Sequence, residues 1–269
     1  MKKLLKYIIN SYILSPLGFE IRRKRVITSS DIWSRIRGIR ISMAEVLDHF
    51  IVLGFSPKTV IDVGVADGTP SLLTRFPSAK HLLIEPIEEY EKALQDICSQ
   101  YEAEYVLAAA GSRSGRMEIY VNPDRLDASS LLRPTHEKGK REIPVVTLDD
   151  LCRERNLETP YVLKVDVGGA ELQVLDGASK TLKDTALVIL EVSFFSFGDG
   201  WPEFYDVIDY MKKRGFVAYD VFGGHNRPLD RARAMVDIAF VKENGRFRTS
   251  CAWISLEQQA EWHSLTRKR

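Results

Sequence analysis

The 269-residue chain carries 38 Lys/Arg against 37 Asp/Glu, with 45% apolar and 28% charged residues. These are globular values and exclude a disordered, collagen-like or disulfide-rich chain; a net charge of +1 argues against a dedicated nucleic-acid binder, whose footprint is basic. Cys98, Cys152 and Cys251 are widely spaced with no CxxC pair, which fits a reducing compartment better than a disulfide framework or a zinc knuckle.

Residues 1–40 hold ten Lys/Arg against Glu20 and Asp31, so a basic arm of +8 precedes a body of −7. In the arm, Leu4, Leu5, Ile8, Ile9, Tyr12 and Ile13 recur at helical spacing, with Lys2, Lys3, Lys6 and Asn10 between them. The apolar stretch is far short of the roughly 20 residues that span a bilayer, and no cleavage pattern precedes Pro16. Two readings are open. The helix docks on its own domain or a second subunit, or residues 2–25 rest on an anionic membrane face. The expected location is cytoplasmic, peripheral to the inner membrane face in the second case.

The body starts near residue 40 with a helix carrying Met43, Val46, Leu47, Phe50 and Ile51 on one face and ending near Gly54. A buried strand follows at Thr59–Val63, then a glycine turn and a helix over 70–76. His81–Ile84 is the second strand, and Pro86 opens a helix with Ile87, Tyr90, Leu94 and Ile97 on one face. Tyr105–Ala110 is read as the third strand. Further strands are expected at Met117–Val121 and Ile143–Thr147, a buried strand at Tyr161–Val167, a helix over Ala170–Leu182 and a buried strand at Ala186–Ser193. The helix Glu203–Arg214 precedes two final strands, Phe216–Val221 and Met235–Val241, expected to pair antiparallel at the sheet edge. The alternation implies an α/β fold, a mostly parallel sheet with helices on both faces. The expected organisation is an extension over 1–40, one domain over 41–245 and a tail over 246–269. The irregular stretch 122–141, with Arg133, His136, Lys138, Lys140 and Arg141, is either a solvated basic loop or a binding element for an anionic substrate.

The most informative segment is Val60–Thr69, where a buried strand runs into Gly64 and Gly68. The spacing G-x-x-x-G differs from the G-x-G-x-x-G of dinucleotide folds, and no P-loop pattern occurs. None of the ten tyrosines has the Lys four residues on that short-chain reductases use. Asp62, inside the apolar strand, needs partners, and turn N–H groups and a ligand ammonium are the natural ones. Glu85 ends the second strand 21 residues after Gly64, the position that holds two ribose hydroxyls in such folds. An acidic, snug turn plus a ribose clamp, with no provision for pyrophosphate, suits S-adenosylmethionine.

These segments resemble the FkbM-type family of S-adenosylmethionine-dependent O-methyltransferases. The resemblance rests on Ile61–Thr69, Leu83-Ile-Glu-Pro86, Val145–Leu151, Leu163–Leu172 with Leu175–Ala178, and Val188–Val192, in the family's order. It implies a Rossmann-like methyltransferase fold with a seven-stranded sheet and methylation of a hydroxyl. The implied cofactor contacts are Asp62, Gly64, Asp67, Gly68 and Glu85, and Ala66, Pro86 and Ala109 complete the expected set. The chain departs at Gly168, where the family has Glu or Gln.

Thr147 and Asp150 form a capping-box pattern for a helix over about 148–155. Asp166 sits at the carboxyl end of an apolar strand beside Gly168 and Gly169, as a base, a ligand for substrate or metal, or a helix cap; Glu171 falls in the following first turn. Glu191 ends the next strand and faces the same crevice. Such a carboxylate pair could take Mg²⁺, although nothing requires a metal and no His/Cys cluster signals one. His225, between the last two strands, is a candidate base or an exposed loop residue. Phe194, Phe195, Phe197 and Trp201 form a sugar-stacking platform or a core cover. Together these residues and the resemblance point to O-methyl transfer to a hydroxyl-bearing small molecule or glycan intermediate, with Asp166, Glu191 and His225 as candidate catalytic residues. The alternative is a catalytically silent cofactor binder or scaffold acting through its basic arm.

Overall fold

The computed structural model describes residues 38–121, 140–256 and 258–259. The expected helix in the basic arm and most of the irregular stretch, with Arg133, His136 and Lys138, lie outside the described residues. Arg40–Cys251 form one compact unit.

The unit opens with α1 (Met43–Val52), started by a capping box in which Ser42 Oγ accepts from the Glu45 N–H and the Glu45 carboxylate accepts from the Ser42 N–H. Replacing Ser42 with Ala is expected to cost about 1 kcal/mol, read as a lowered urea midpoint at unchanged slope. The buried face of α1 is Val46, Leu47 and Phe50. Residues beyond 245 close its far end: Arg246 donates to the Leu53 and Gly54 carbonyls at 3.2 and 3.0 Å, and Phe247 meets the Phe50 ring edge-on at 4.8 Å.

The main sheet contains β1 (Thr59–Val63), β2 (Lys80–Ile84), β3 (Ala103–Val106), β7 (Tyr161–Val165), β8 (Thr185–Ser193), β9 (Phe216–Asn226) and β10 (Arg233–Lys242). Its order is β3-β2-β1-β7-β8-β10-β9, parallel except that β10 runs antiparallel to both neighbours. β1 and β7 are buried throughout, as expected of central parallel strands covered on both faces. One face carries Ile61, Leu163, Val188 and Ile238 under α4 (Leu148–Glu154), α5 (Glu171–Asp176), α6 (Thr181–Asp184) and α7 (Phe204–Lys213). The other carries Val60, Val162, Leu187, Ile189, Ala239 and Val241 under α1 and α2 (Pro70–Arg75). The order turns back between β1 and β7, which opens the ligand crevice at their carboxyl ends. At the outer edge, Arg40 pairs with Asp220 of β9, and the Gly223 N–H donates to the Ile41 carbonyl at 3.1 Å.

Four local readings change. The run expected as one third strand is split: β3 ends at Val106, and Ala109–Ala110 form β4 of a separate sheet. That sheet has the order β4-β6-β5, with β5 at Gly115–Tyr120 and β6 at Lys140–Val146. An unbroken apolar run holds no breaker to mark such a change of sheet. The helix after Pro86 starts later, as a 3₁₀ turn at Glu88–Tyr90 followed by α3 (Glu91–Gln100). The helix expected over 170–182 is two short ones. Gly177 ends α5, and the Asp149 carboxylate then takes the Lys180 and Thr181 N–H groups at 3.0 and 2.7 Å, restarting the helix from a distant residue. Finally, the stretch around His225, expected to link the last two strands, is largely strand itself: β9 and β10 pair out to Asn226 and Arg233. Thr147 caps α4 as its pattern suggests, accepting from the Asp150 N–H at 3.1 Å.

Candidate functional site

At the end of β1 the chain turns at Gly64, which has φ +73°. A Cβ there would stand 2.9 Å from the Asp166 carbonyl carbon and closer still to its oxygen, so only glycine lets β1 lie this close to the end of β7. The Gly64 N–H donates to the Ile84 carbonyl at 2.9 Å, and the Asp166 N–H to that of Val63 at 3.1 Å. The turn closes through the Gly68 N–H on the Val65 carbonyl at 2.9 Å. Glu85 reaches back across it: Oε2 accepts from the Ala66 N–H at 2.8 Å and Oε1 from the Ile87 N–H at 3.0 Å. Burial pushes the Glu85 carboxyl up, while the two N–H groups and Lys164 act against that rise. Each carboxylate oxygen keeps a second lone pair for a ligand hydroxyl. Gly64, Ala66, Gly68 and Glu85 are thus one assembly. Asp67 is exposed on the turn and Pro86 is half-buried behind Glu85. Ala109 lies in the smaller sheet, packed with Ile87 and Val145.

Strand alternation explains the charged part of the crevice. Val60, Val162, Leu187, Ile189 and Ala239 all face α1 and α2. Asp62, Lys164, Asp166, Glu191 and Asp237 share their parity and therefore that face. Register sets them in two rows. Asp62 stands opposite Lys164 across β1 and β7. One step outward, Glu191 stands opposite Asp237 across β8 and β10, and the pairing of Val165 with Leu190 brings Asp166 to the level of Glu191.

Asp62 does not use turn N–H groups, as the sequence suggested. Its partner is the ammonium of Lys164, 3.4 Å from Oδ1, and that oxygen is buried with no well-directed hydrogen bond among the described residues. Lys164 Nζ also lies 3.4 Å from Asp166 Oδ2 and donates to the Gly64 carbonyl at 2.8 Å. Burial alone would depress the Lys164 ammonium, but the Asp62 and Asp166 carboxylates outweigh it and raise it. The Asp62 side chain is 3% exposed and that of Asp166 43%, so the second is the more open to an incoming molecule.

Glu191 is pushed up to about 8, by burial first and then by Asp166, Asp237 and Glu171. Asp237 is pushed up to about 6 by burial and Asp166. Glu171, also raised by burial, folds its carboxylate under the loop it follows, accepting from the Val167 and Gly169 N–H groups at 3.2 and 3.0 Å. Asp166 therefore does not cap α5. Among the described residues, no group of three His, Cys, Asp or Glu is placed to hold a metal ion.

Trp201 covers the other side of this loop: a Cβ at Gly169 would stand 2.5 Å from the indole ring, whose Nε1 donates to Ser193 Oγ at 3.0 Å. Phe194 stacks on Phe204 with ring centroids 5.1 Å apart, and the Arg227 guanidinium lies 3.8 Å over the Phe195 ring. Trp201 thus serves packing, while Phe194 stays 39% exposed. His225 is not in a loop. It is an exposed residue of β9 paired with Met235, with no hydrogen bond to Asp166 or Glu191 among the described residues. Lys140 and Arg141 pair with Glu118 and Glu89. Sequence reasoning missed Lys164 and Asp237. Their signal was an ionisable residue in a strand otherwise apolar, the same that singled out Asp62.

The FkbM methyltransferase domain matches residues 62–218, more than half of the chain. Two curated relatives are similar. The hexuronic acid methyltransferase AglP of Haloferax volcanii is 25% identical over 184 residues, covering 68% of this chain and 75% of the relative. The 2-O-methyltransferase NoeI of Sinorhizobium fredii is 23% identical over 202 residues, covering 67% and 83%. A solved FkbM methyltransferase from Methylobacillus flagellatus is 18% identical with a TM-score of 0.41; 68% of this chain matches 43% of that one, so this chain spans less than half of it. The strand order, the glycine turn at the end of β1 and the matched segment lead to one conclusion: the chain belongs to the FkbM methyltransferase family.

Proposed function

We propose that the protein is an S-adenosylmethionine-dependent O-methyltransferase whose acceptor is a hydroxyl of a sugar or glycan intermediate. The observation that carries this reading is the row Asp166, Glu191 and Asp237 on β7, β8 and β10, which begins one strand over from the Gly64 turn that Glu85 closes. The cofactor, when bound, supplies an electrophilic methyl group on a sulfonium. The residues fit it: Glu85 retains lone pairs for ribose hydroxyls, and the Asp62 carboxylate, ion-paired to Lys164 but with no directed hydrogen bond on Oδ1, places negative charge behind the turn to attract a ligand ammonium. Asp166 and Glu191 then orient the acceptor and take its proton. Positioning alone supplies several kcal/mol of such a barrier, about 7–11 at best. Two relatives named for a hexuronic acid and for 2-O-methylation support a sugar hydroxyl as acceptor.

Calorimetric titration of the full chain with S-adenosylhomocysteine tests the cofactor. Wild type is expected to bind in the micromolar range. Glu85→Ala loses charge-assisted hydrogen bonds of about 1.5–3 kcal/mol and should bind about 10- to 100-fold more weakly. A folded wild type that binds nothing would overturn the enzyme reading and turn attention to the basic arm.

A further inference from the structure

The crevice contains one cation that serves two sides. Among the described residues, Lys164 is the single buried Lys or Arg. It stands among Asp62 of β1, Glu85 after β2, Asp166 after β7, Glu191 of β8 and Asp237 of β10. An ammonium has three protons, and three oxygens surround this one: the Gly64 carbonyl at 2.8 Å, and Asp62 Oδ1 and Asp166 Oδ2 at 3.4 Å each. The first two belong to the glycine turn and its strand. The third belongs to the half-exposed carboxylate on the acceptor side.

We propose that Lys164 is a positioning residue that couples the glycine turn to the acceptor-side carboxylate, through one ammonium shared by the Gly64 carbonyl, Asp62 and Asp166. The proposal rests on the cofactor reading above. Because the ammonium is equidistant from the two carboxylates, a change of charge on one alters its hold on the other. Neutralising Asp166 leaves the ammonium to Asp62 alone. Asp62 is then more fully compensated and attracts a ligand ammonium less. Glu191 makes no ion pair with Nζ, and Lys164 acts on it only from farther off, so its neutralisation alters the hold on Asp62 less.

The test is a double-mutant cycle read by calorimetry with S-adenosylhomocysteine, on the full chain. Asp166→Asn is expected to weaken binding about three- to tenfold, although the residue lies on the acceptor side. Glu191→Gln should change it less than twofold. Lys164→Met frees the Gly64 carbonyl and with it the turn, so it should weaken binding at least tenfold even though it leaves Asp62 uncompensated, and adding Asp166→Asn to Lys164→Met should have no further effect. A merely structural lysine would lower the melting temperature yet give equal Asp166→Asn factors in both backgrounds, which overturns the proposal. If Lys164→Met does not fold, Lys164→Arg takes its place. It keeps the charge, but its planar fork cannot serve three converging acceptors, so Asp166→Asn should again lose its effect. If wild type binds no S-adenosylhomocysteine, the cofactor reading falls separately. The same cycle is then read on melting temperature, where additive shifts overturn the shared ammonium and non-additive ones support it.

Discussion

Alanine at position 64 is expected to destabilise the protein by about 2–5 kcal/mol, the sum of a left-handed backbone penalty and an overpacked contact. The positive φ accounts for the first part and the nearness of the Asp166 carbonyl for the second. Neither can relax cheaply. Gly64 is held by its N–H on Ile84, by its carbonyl under Lys164, and by the neighbouring Asp166–Val63 hydrogen bond. Relief would therefore move β1 away from β7 at the point where the crevice opens. Denaturant unfolding of Gly64→Ala should show a lower midpoint at unchanged slope, with S-adenosylhomocysteine binding lost at the same time. A loss below about 1 kcal/mol would mean that the two strand ends are not as closely joined as described.

Activity is expected to rise with pH through about 8, and Glu191→Gln to lower kcat about 10²- to 10⁴-fold, the usual span for a lost general base. Burial and three neighbouring carboxylates hold the proton on Glu191. A rate that falls above pH 8 would instead make protonated Glu191 a hydrogen-bond donor and leave proton acceptance to Asp166. Stability has a definite sign as well. The native chain holds protons on Glu191 up to about 8 and on Asp237 up to about 6, whereas unfolded carboxyls release them near 4.5 and 3.8. The unfolded state therefore binds fewer protons over that range, and stability falls as pH rises from about 4 to 8. Melting temperatures across this window should decline for wild type and decline less for Glu191→Gln.

The turn and the acid that reaches back across it were legible because each rests on local chemistry. A buried strand ending in glycine at Gly64, and an acid closing the next strand at Glu85, are visible within a few residues of sequence. Asp166 and Glu191 were legible for the same reason. Lys164 and Asp237 were harder to place, because their meaning lies in register. Only the pairing of β1 with β7 puts Lys164 beside Asp62, and only an antiparallel β10 puts Asp237 beside Glu191. The same distinction separates the well-read helix α7 from the misread one after Ala170. The apolar spacing of Val207 and Met211 is local, whereas the break after Gly177 depends on a carboxylate at Asp149.

The outer strand β9 bears on how separate copies of the chain can meet. A long strand at a sheet margin offers unpaired backbone groups to any passing strand. Here the pairing of β9 with β10 shifts register three times, which twists the strand out of plane. The Ile41 carbonyl occupies the Gly223 N–H, and Arg40 sets a charge pair on Asp220 along the same margin. End-to-end extension of the sheet into fibrils is thereby discouraged by the short segment that leads into α1, which acts as a selvedge on the fabric of the sheet.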